Sequence, residues 1–441
     1  MYPLAAAFLP HPPILIDDIG KEENLAARQT IMAMEEIAGR ISDLEPDTLV
    51  IISPHGNLFR EALCVLDTDK LRGDLSDFGA PQLVFDYEND GEILEQLRRN
   101  TQDFPLLFLD EKAAKSLGSL ELDHGATVPL YFLEKYWKRK PKLVHINYGL
   151  LSSHELAYFG GLLRRAIRLS KKRVVVLASG DLSHRLKDEG PYDYHPQGPL
   201  FDSEVSRIFK EGKLDEFLQM DQRMVEEAGE CGLRSLQILS GVLDGLPLNT
   251  KVLSYEGPWG VGYLTAYIEI EEEKDKEILL AREAIKSRIA NRRELIPGEE
   301  YEELKKRKKG CFVSLHKFGE LRGCIGTIGP TQENLALEII ANAQSAALGD
   351  LRFPPVKEDE LDDLVVSVDE LGPIEACHFE DLDPKCYGVI VKKGQRQGLL
   401  LPDLPGIDTP QQQVEIARNK AMIRPGEEVE YYRFKVTRHG N

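Results

Sequence analysis

What this chain has little of narrows it quickly. Its six cysteines, Cys64, Cys231, Cys311, Cys324, Cys377 and Cys386, include no CxxC pair. That excludes a zinc ribbon, offers no disulfide framework, and points to a reducing cytoplasm. Basic charge is also in deficit. With 55 Lys and Arg against 74 Asp and Glu, the formal net charge is −19. A surface that acidic repels phosphate backbones and anionic lipid, so neither nucleic acid nor a membrane surface is expected as a partner. No apolar run is long enough to span a bilayer. The opening residues MYPLAAAFLPHPPILI lack a basic start and carry four prolines, so no signal peptide is expected.

What is present describes a globular protein of two parts. The 441 residues exceed one ordinary core. Apolar residues at 42% and charged residues at 29% fit a soluble chain. Through residues 1–272, short apolar runs (LAAAFLP, DTLVIIS, ALCVLD, KLVHIN, RVVVLAS, KVLSYEG, YLTAYIEI) alternate with helical patterns such as Glu22–Leu44, His154–Ser170 and Gly232–Leu243. This alternation predicts an α/β domain, a mixed central sheet with helices on both faces. RVVVLAS is apolar throughout, as expected of a strand covered on both sides. After the charge run EIEEEKDKEI the texture changes. Residues 273–441 carry strands that alternate apolar and polar side chains (GCFVSLHK, DLVVSVDEL, YGVIVKK, EYYRFKV), which predicts a smaller α+β domain with an antiparallel sheet.

Histidines in the first part recur in one context. His11 follows AAAFLP, His55 follows LVIISP, and His184 follows VVVLASGDLS, while His124 sits in the polar turn ELDHG. Residues just past the carboxyl ends of parallel strands line a common crevice, so these imidazoles are candidates for a metal or acid–base site. His145, inside a strand, and His154, near a helix start, read as structural. His195 lies in a loop and is as well explained by loop packing as by substrate contact. Two histidines leave a divalent ion underligated, and EEAGECGLRS presents Glu230 and Cys231 just before a helix. A carboxylate there completes a two-His-one-carboxylate face suited to Fe(II); a thiolate favours a softer metal such as Zn or Cu. A helix-capping Glu230 beside a packed Cys231 explains the same residues. Asp181 either orients His184 or caps the turn that follows.

HPP, ISPHGN, DHG and ASGDLSH, in that order, resemble the class III (LigB-type) extradiol dioxygenases and the related Memo family. The resemblance implies that His11 and His55 are metal ligands, that His184 is the acid–base catalyst, and that His124 lines the pocket. It implies Fe(II), a small catechol-type substrate and O2. Cys231 directly before Gly232 matches the Memo-like pattern, whereas Glu230 is the fallback for the dioxygenase carboxylate. The alternative to an oxygen-incorporating oxidoreductase is therefore a Memo-like metal-binding redox or ligand-binding scaffold.

In the second part, GELRGCIGTIGP places Arg322 two residues from Cys324, where a cation would raise thiol reactivity. A β-turn with a packed cysteine is the plainer account. The string LRGCIG, with DLRFPPV, VSVDEL and GLLLP, resembles the AMMECR domain. That implies Arg322 and Cys324 on a shared groove, in an interaction or thiol-bearing module. The fusion resembles the prokaryotic AmmeMemoRadiSam system A family, which implies a radical-SAM protein as partner. Self-association is compatible with the sequence.

Overall fold

The computed structural model describes residues 2–404 and 406–440. Two compact units divide between Glu272 and Glu273. Ten strands belong to the first: β1 (Ala5–Leu9), β2 (Thr48–Ser53), β3 (Leu63–Leu66), β4 (Lys70–Leu75), β5 (Ala80–Glu88), β6 (Leu106–Leu109), β7 (Lys142–Asn147), β8 (Val174–Ser179), β9 (Leu248–Glu256) and β10 (Tyr263–Ile270). Eight of them form one mixed sheet in the order β6-β3-β7-β2-β8-β1-β10-β9. Its centre, β7-β2-β8-β1, is parallel, and β9, β10 and β3 contribute antiparallel pairings.

Side-chain alternation explains why this sheet is covered twice. Ala6, Phe8, Val50, Ile52, Val174 and Val176 enter one core with the helices Ser153–Ser170, Gln197–Glu211 and Leu233–Leu243. Ala5, Ala7, Leu9, Leu49, Ile51 and Val175 enter the opposite core with the helices Arg28–Asp43 and His124–Glu134. The α/β expectation for this part is met. Two features depart from the sequence reading. ELDHG is no turn: His124 opens a helix, with Asp123 as its cap accepting from Gly125 N at 2.8 Å. Pro129 inside the helix had disguised it. And β4 and β5 pair as a separate two-stranded sheet, whose exposed Lys70, Arg72 and Asp74 alternate with buried Leu71, Gly73 and Leu75.

Parallel pairing fixes the level at which the central strands end. Leu9 lies opposite Ser179, Ile52 opposite Ala178, and Ser53 opposite Asn147. The segments leaving β1, β2 and β8 therefore emerge side by side at one edge. Among the described residues no helix is long and apolar enough to cross a membrane.

The second unit contains β11 (Cys311–Lys317), β12 (Glu320–Gly326), β13 (Leu364–Leu371), β14 (Glu375–Cys377), β15 (Gly388–Lys393), β16 (Arg396–Leu400), β17 (Glu430–Phe434) and β18 (Val436–His439). They make two antiparallel sheets, β12-β11-β13-β18 and β14-β17-β15-β16. Helices Lys276–Ile289 and Leu335–Leu348 cover the first sheet, and Pro410–Lys420 covers the second. This is the expected smaller α+β domain.

Near its end the chain is tied down by charge. His439 Nδ1 lies 2.7 Å from Asp275 Oδ2, and its Nε2 lies 3.4 Å from Glu370 Oε1. Arg307 bridges Glu277 and Glu370, and Lys309 meets Glu370 at 3.0 Å. Glu370 and Asp275 favour the imidazolium against burial and push His439 up to about 9. A folded-state value above the ordinary one means that the stabilisation is complete below about pH 6.5 and is lost as pH rises through about 9. Thermal melts of the full chain should show this domain losing about 1–3 kcal/mol across that window, after allowance for partial solvent screening. His439→Gln should melt lower at pH 6 and show no such decline.

Candidate metal centre

The loops that leave β1 and β2, and the start of the helix His124–Glu134 between β6 and β7, bring His11, His55 and His124 together. Each offers a ring nitrogen, and these atoms all lie within 4.8 Å of one another. His11 Nε2 faces His55 Nε2 at 2.9 Å. The His55 and His124 rings stack at 4.1 Å with 24° between planes, and His11 stands edge-on to both. His11 is buried, and His55 and His124 are half-buried.

Hydrogen bonds behind the rings decide which nitrogens face inward. His11 Nδ1 pairs with Ser179 Oγ at 2.9 Å; as its donor it leaves the Nε2 lone pair pointing to the centre. The His11 backbone N–H donates to Asp181 Oδ1 at 3.0 Å. His124 is carried by Asp123, whose carboxylate accepts from Ser53 Oγ at 2.5 Å and Asn147 Nδ2 at 3.0 Å and lies 3.0 Å from His145 Nε2. Asn147 also donates to the His55 carbonyl, so one buried network grips two of the three histidine segments. Gly56, with φ +85°, turns the chain just after His55; a Cβ there would sit 2.8 Å from Asp123 Oδ2.

Electrostatics keep the imidazoles neutral. Burial, then the neighbouring histidines, hold His11 well below its usual value and bring His55 down to about 4. Burial lowers His124 as well. For Asp123, burial is outweighed by His145, Ser53 and Asn147, which hold it well below the carboxylate range. Neutral rings with converging lone pairs are the donor set a divalent ion requires. The residues present therefore fit a metal.

The remaining sequence candidates fall at different places. Cys231 Sγ lies 3.7 Å from His11 Nε2 and 3.8 Å from His184 Nε2, and it accepts from Asp181 N at 3.3 Å. Its approach depends on two glycines. A Cβ on Gly180 would meet Gly232 Cα at 2.2 Å, and one on Gly232 would meet the Phe8 ring at 2.8 Å. Burial, then Asp181, raises the Cys231 thiol well above its usual value. Glu230 follows the helix-capping alternative: its Oε2 accepts from Leu233 N at 2.6 Å, at the start of the helix Leu233–Leu243. The Asp181 carboxylate accepts from the His11 backbone through Oδ1 and brings Oδ2 to 3.9 Å from His11 Nε2, so its contacts among the described residues are with His11. Burial pushes that carboxyl up to about 7.

His184 stands beyond Cys231. Its ring lies parallel to Tyr192 at 5.9 Å, and burial with the nearby His55 brings it down to about 4. The loop before it is pinned by buried Asp202, which accepts from Ser183 N at 2.8 Å and from Tyr255 OH at 2.7 Å. His154 is exposed on its helix, and the His195 Nδ1 accepts from Gln197 N, so neither joins the cluster. His145, read as structural, supports the site through Asp123.

Sequence reasoning missed Asp123, Ser179, Asn147 and Phe78. An Asp directly before an apolar helical run is a cap signal that could have revealed Asp123; the others carry no local mark. Phe78, at the tip between β4 and β5, packs edge-on to His124 at 5.3 Å. It also walls a cavity of about 850 Å³ with Pro13, Ile14, Ile19 and Lys21, a size suited to a small organic ligand.

In the second unit, Arg322 is corrected. It is the extra residue where the β11–β12 register shifts, and its guanidinium grips Glu360 at 3.0–3.1 Å and the Pro354 carbonyl at 2.8 Å. It is committed to that carboxylate rather than to Cys324.

Two family models divide the chain at the same place. Residues 5–266 match the family described as the catalytic LigB subunit of aromatic ring-opening dioxygenase, and residues 278–439 match AMMECR1. A protein of Clostridium acetobutylicum is 40% identical over 458 aligned positions that cover 98% of each chain. A Thermotoga maritima protein is 59% identical over 141 residues, 31% of this chain and 81% of its own. The crystal structure of an uncharacterized Escherichia coli K12 protein overlays 60% of this chain and 99% of its own at 16% identity, with a TM-score of 0.43. LigB-type domains are typically metal-dependent, in keeping with the histidine cluster. The chain belongs to the LigB family, its ring-opening-dioxygenase-type domain fused to an AMMECR1 domain.

Proposed function

We propose that the N-terminal domain is a mononuclear, metal-dependent oxidoreductase of the extradiol ring-cleavage type, acting on a catechol or related small aromatic with O2. The observation that carries this reading is the meeting of the His11, His55 and His124 ring nitrogens within 4.8 Å. His11 and His55 would hold the ion, with the His124 ring nitrogen also within reach. Fe(II) held there would supply a Lewis-acidic centre. His184, neutral at pH 7, accepts the proton of a substrate hydroxyl at Nε2 and returns it later, a contribution of about 10²- to 10⁴-fold in rate. The test is metal analysis of protein purified without oxygen, followed by oxygen uptake across a catechol panel. Stoichiometric iron and a ring-opened product absorbing in the near ultraviolet are expected. Stoichiometric metal with no oxygen uptake across the panel overturns the oxygenase assignment.

One observation favours a second reading. With Glu230 turned away, the nearest soft donor is Cys231, 3.7 Å from His11 Nε2. A thiol there suits a Memo-like redox or ligand-binding centre holding Zn or Cu, working with a radical-SAM partner while the AMMECR1 domain docks or presents a thiol. Cys231→Glu separates the two: a gain of ring-cleavage activity supports the oxygenase ancestry, and loss of bound metal supports the thiolate-ligated centre.

A further inference from the structure

We propose that Asp202 is a positioning residue of the N-terminal site: through Ser183 it holds the His184 imidazole in place beside Cys231, without itself touching substrate. Its share in proton transfer rests on the ring-cleavage reading above; its hold on His184 does not. The need for a hold begins in the chain. After β8, residues 180–196 form neither helix nor strand, yet residues 180–183 are buried, so their backbone groups must find partners elsewhere. Most find backbone. Leu182 N donates to the Gly262 carbonyl at 2.8 Å and Gly262 N to the Ser183 carbonyl at 2.8 Å. His184 N donates to the Ala228 carbonyl at 3.3 Å, and Leu186 N to the Gly260 carbonyl at 3.0 Å.

The Ser183 N–H goes to a side chain instead, donating to Asp202 Oδ1 at 2.8 Å. Among the described residues this is the one backbone bond of residues 182–186 to a side chain elsewhere in the chain. Asp202 stands on the helix Gln197–Glu211 and is 1% exposed. Its Oδ2 accepts from Tyr255 OH at 2.7 Å, so β9 steadies the carboxylate that steadies the loop. Gly262 clears the space, since a Cβ there would overlap Asp202 Oδ2. Neither partner is a cation, and burying a carboxyl among neutral donors alone is costly. What the arrangement delivers is direction. With Gly262 and Ala228, Asp202 fixes both peptide groups that precede the His184 side chain. The ring is thereby brought with Nε2 3.8 Å from Cys231 Sγ and lies parallel to Tyr192 at 5.9 Å.

Histidine labelling by diethyl pyrocarbonate in the full-length protein as purified, read by peptide mass spectrometry, tests the hold without catalysis. Asp202→Ala should raise the His184 rate by about 3- to 10-fold as the segment opens locally, with His11 and His55 at their native rates. Asp202→Asn, which keeps an acceptor for Ser183 N, should label like the native protein. Gly262→Ala, which drives a Cβ into the same carboxylate, should reproduce the rise, and it decides the question where Asp202→Ala fails to fold. A native His184 rate in Asp202→Ala and Gly262→Ala overturns the proposal. So does a rise shared in equal measure by His11 and His55, which marks a general loosening of the domain. In a ring-cleavage assay, Asp202→Ala should lower kcat by about 100-fold at unchanged KM, the effect of an imidazole misplaced by about 1 Å. Absence of ring cleavage in the native protein removes the reading above and leaves the labelling result standing.

Discussion

His55→Ala is expected to weaken divalent-metal binding to the N-terminal domain by at least about 100-fold, since losing even an outer-shell partner of a ligand costs about 10- to 100-fold. The substitution removes more than one donor atom. His55 Nε2 stands 2.9 Å from His11 Nε2, and its ring stacks on His124, so the two remaining imidazoles also lose the surface that sets their angle. Direct titration under anaerobic conditions, with bound metal counted by elemental analysis, gives the number. Glu230→Gln is the matched control. Its carboxylate serves Leu233 N and has no share in the cluster, so metal content should stay at the native level while the melting temperature falls slightly. Native metal content in His55→Ala, or metal loss in Glu230→Gln, removes the histidine cluster as the binding centre.

Asp123→Ala should destabilise the N-terminal domain by about 3 kcal/mol or more, since each buried polar group left without a partner costs about 1–3 kcal/mol. One carboxylate satisfies Ser53 Oγ, Gly125 N and Asn147 Nδ2 and faces His145, which is fully buried. Removing it leaves Ser53 Oγ without its acceptor, takes one of two acceptors from Asn147 Nδ2 and uncaps the helix that begins at His124. Asp123→Asn, which retains an acceptor for the cap, should cost less. The pH dependence has a definite sign. A carboxyl held below its ordinary value stabilises the fold above about pH 4 and loses that effect as pH falls further. Urea melts between pH 3 and 7 should therefore show a steep acid limb in the native protein and a shallower one in Asp123→Ala. Because the same network holds His124 and the His55 carbonyl, metal affinity should drop alongside stability, by about 10- to 100-fold.

Much of the first domain was legible from local pattern. The apolar runs VVVLA and LVII lie in β8 and β2, which are covered on both faces, and His11, His55 and His184 stand just beyond strands of that kind. The hairpin β4–β5 was not legible, because every second residue of β4, Lys70, Arg72 and Asp74, is charged and faces solvent. The helix at His124 was hidden by a proline that ordinarily breaks helices. Arg322 and Cys324, two apart in sequence, suggested a working pair. An extra residue in the strand and a distant Glu360 draw the arginine into a different bond.

By itself, the order of residues determined the two-part layout, the covered parallel core and the placement of histidines at strand ends, because period and breaker residues act within a few positions. Which donors share a centre was decided only by tertiary structure. Strand order sets β8 between β1 and β2, and register brings their ends level. Glu230 and Cys231 are adjacent in the chain, yet one caps a helix and the other meets His11, because a helix start offers N–H groups to the first while close glycine packing delivers the second.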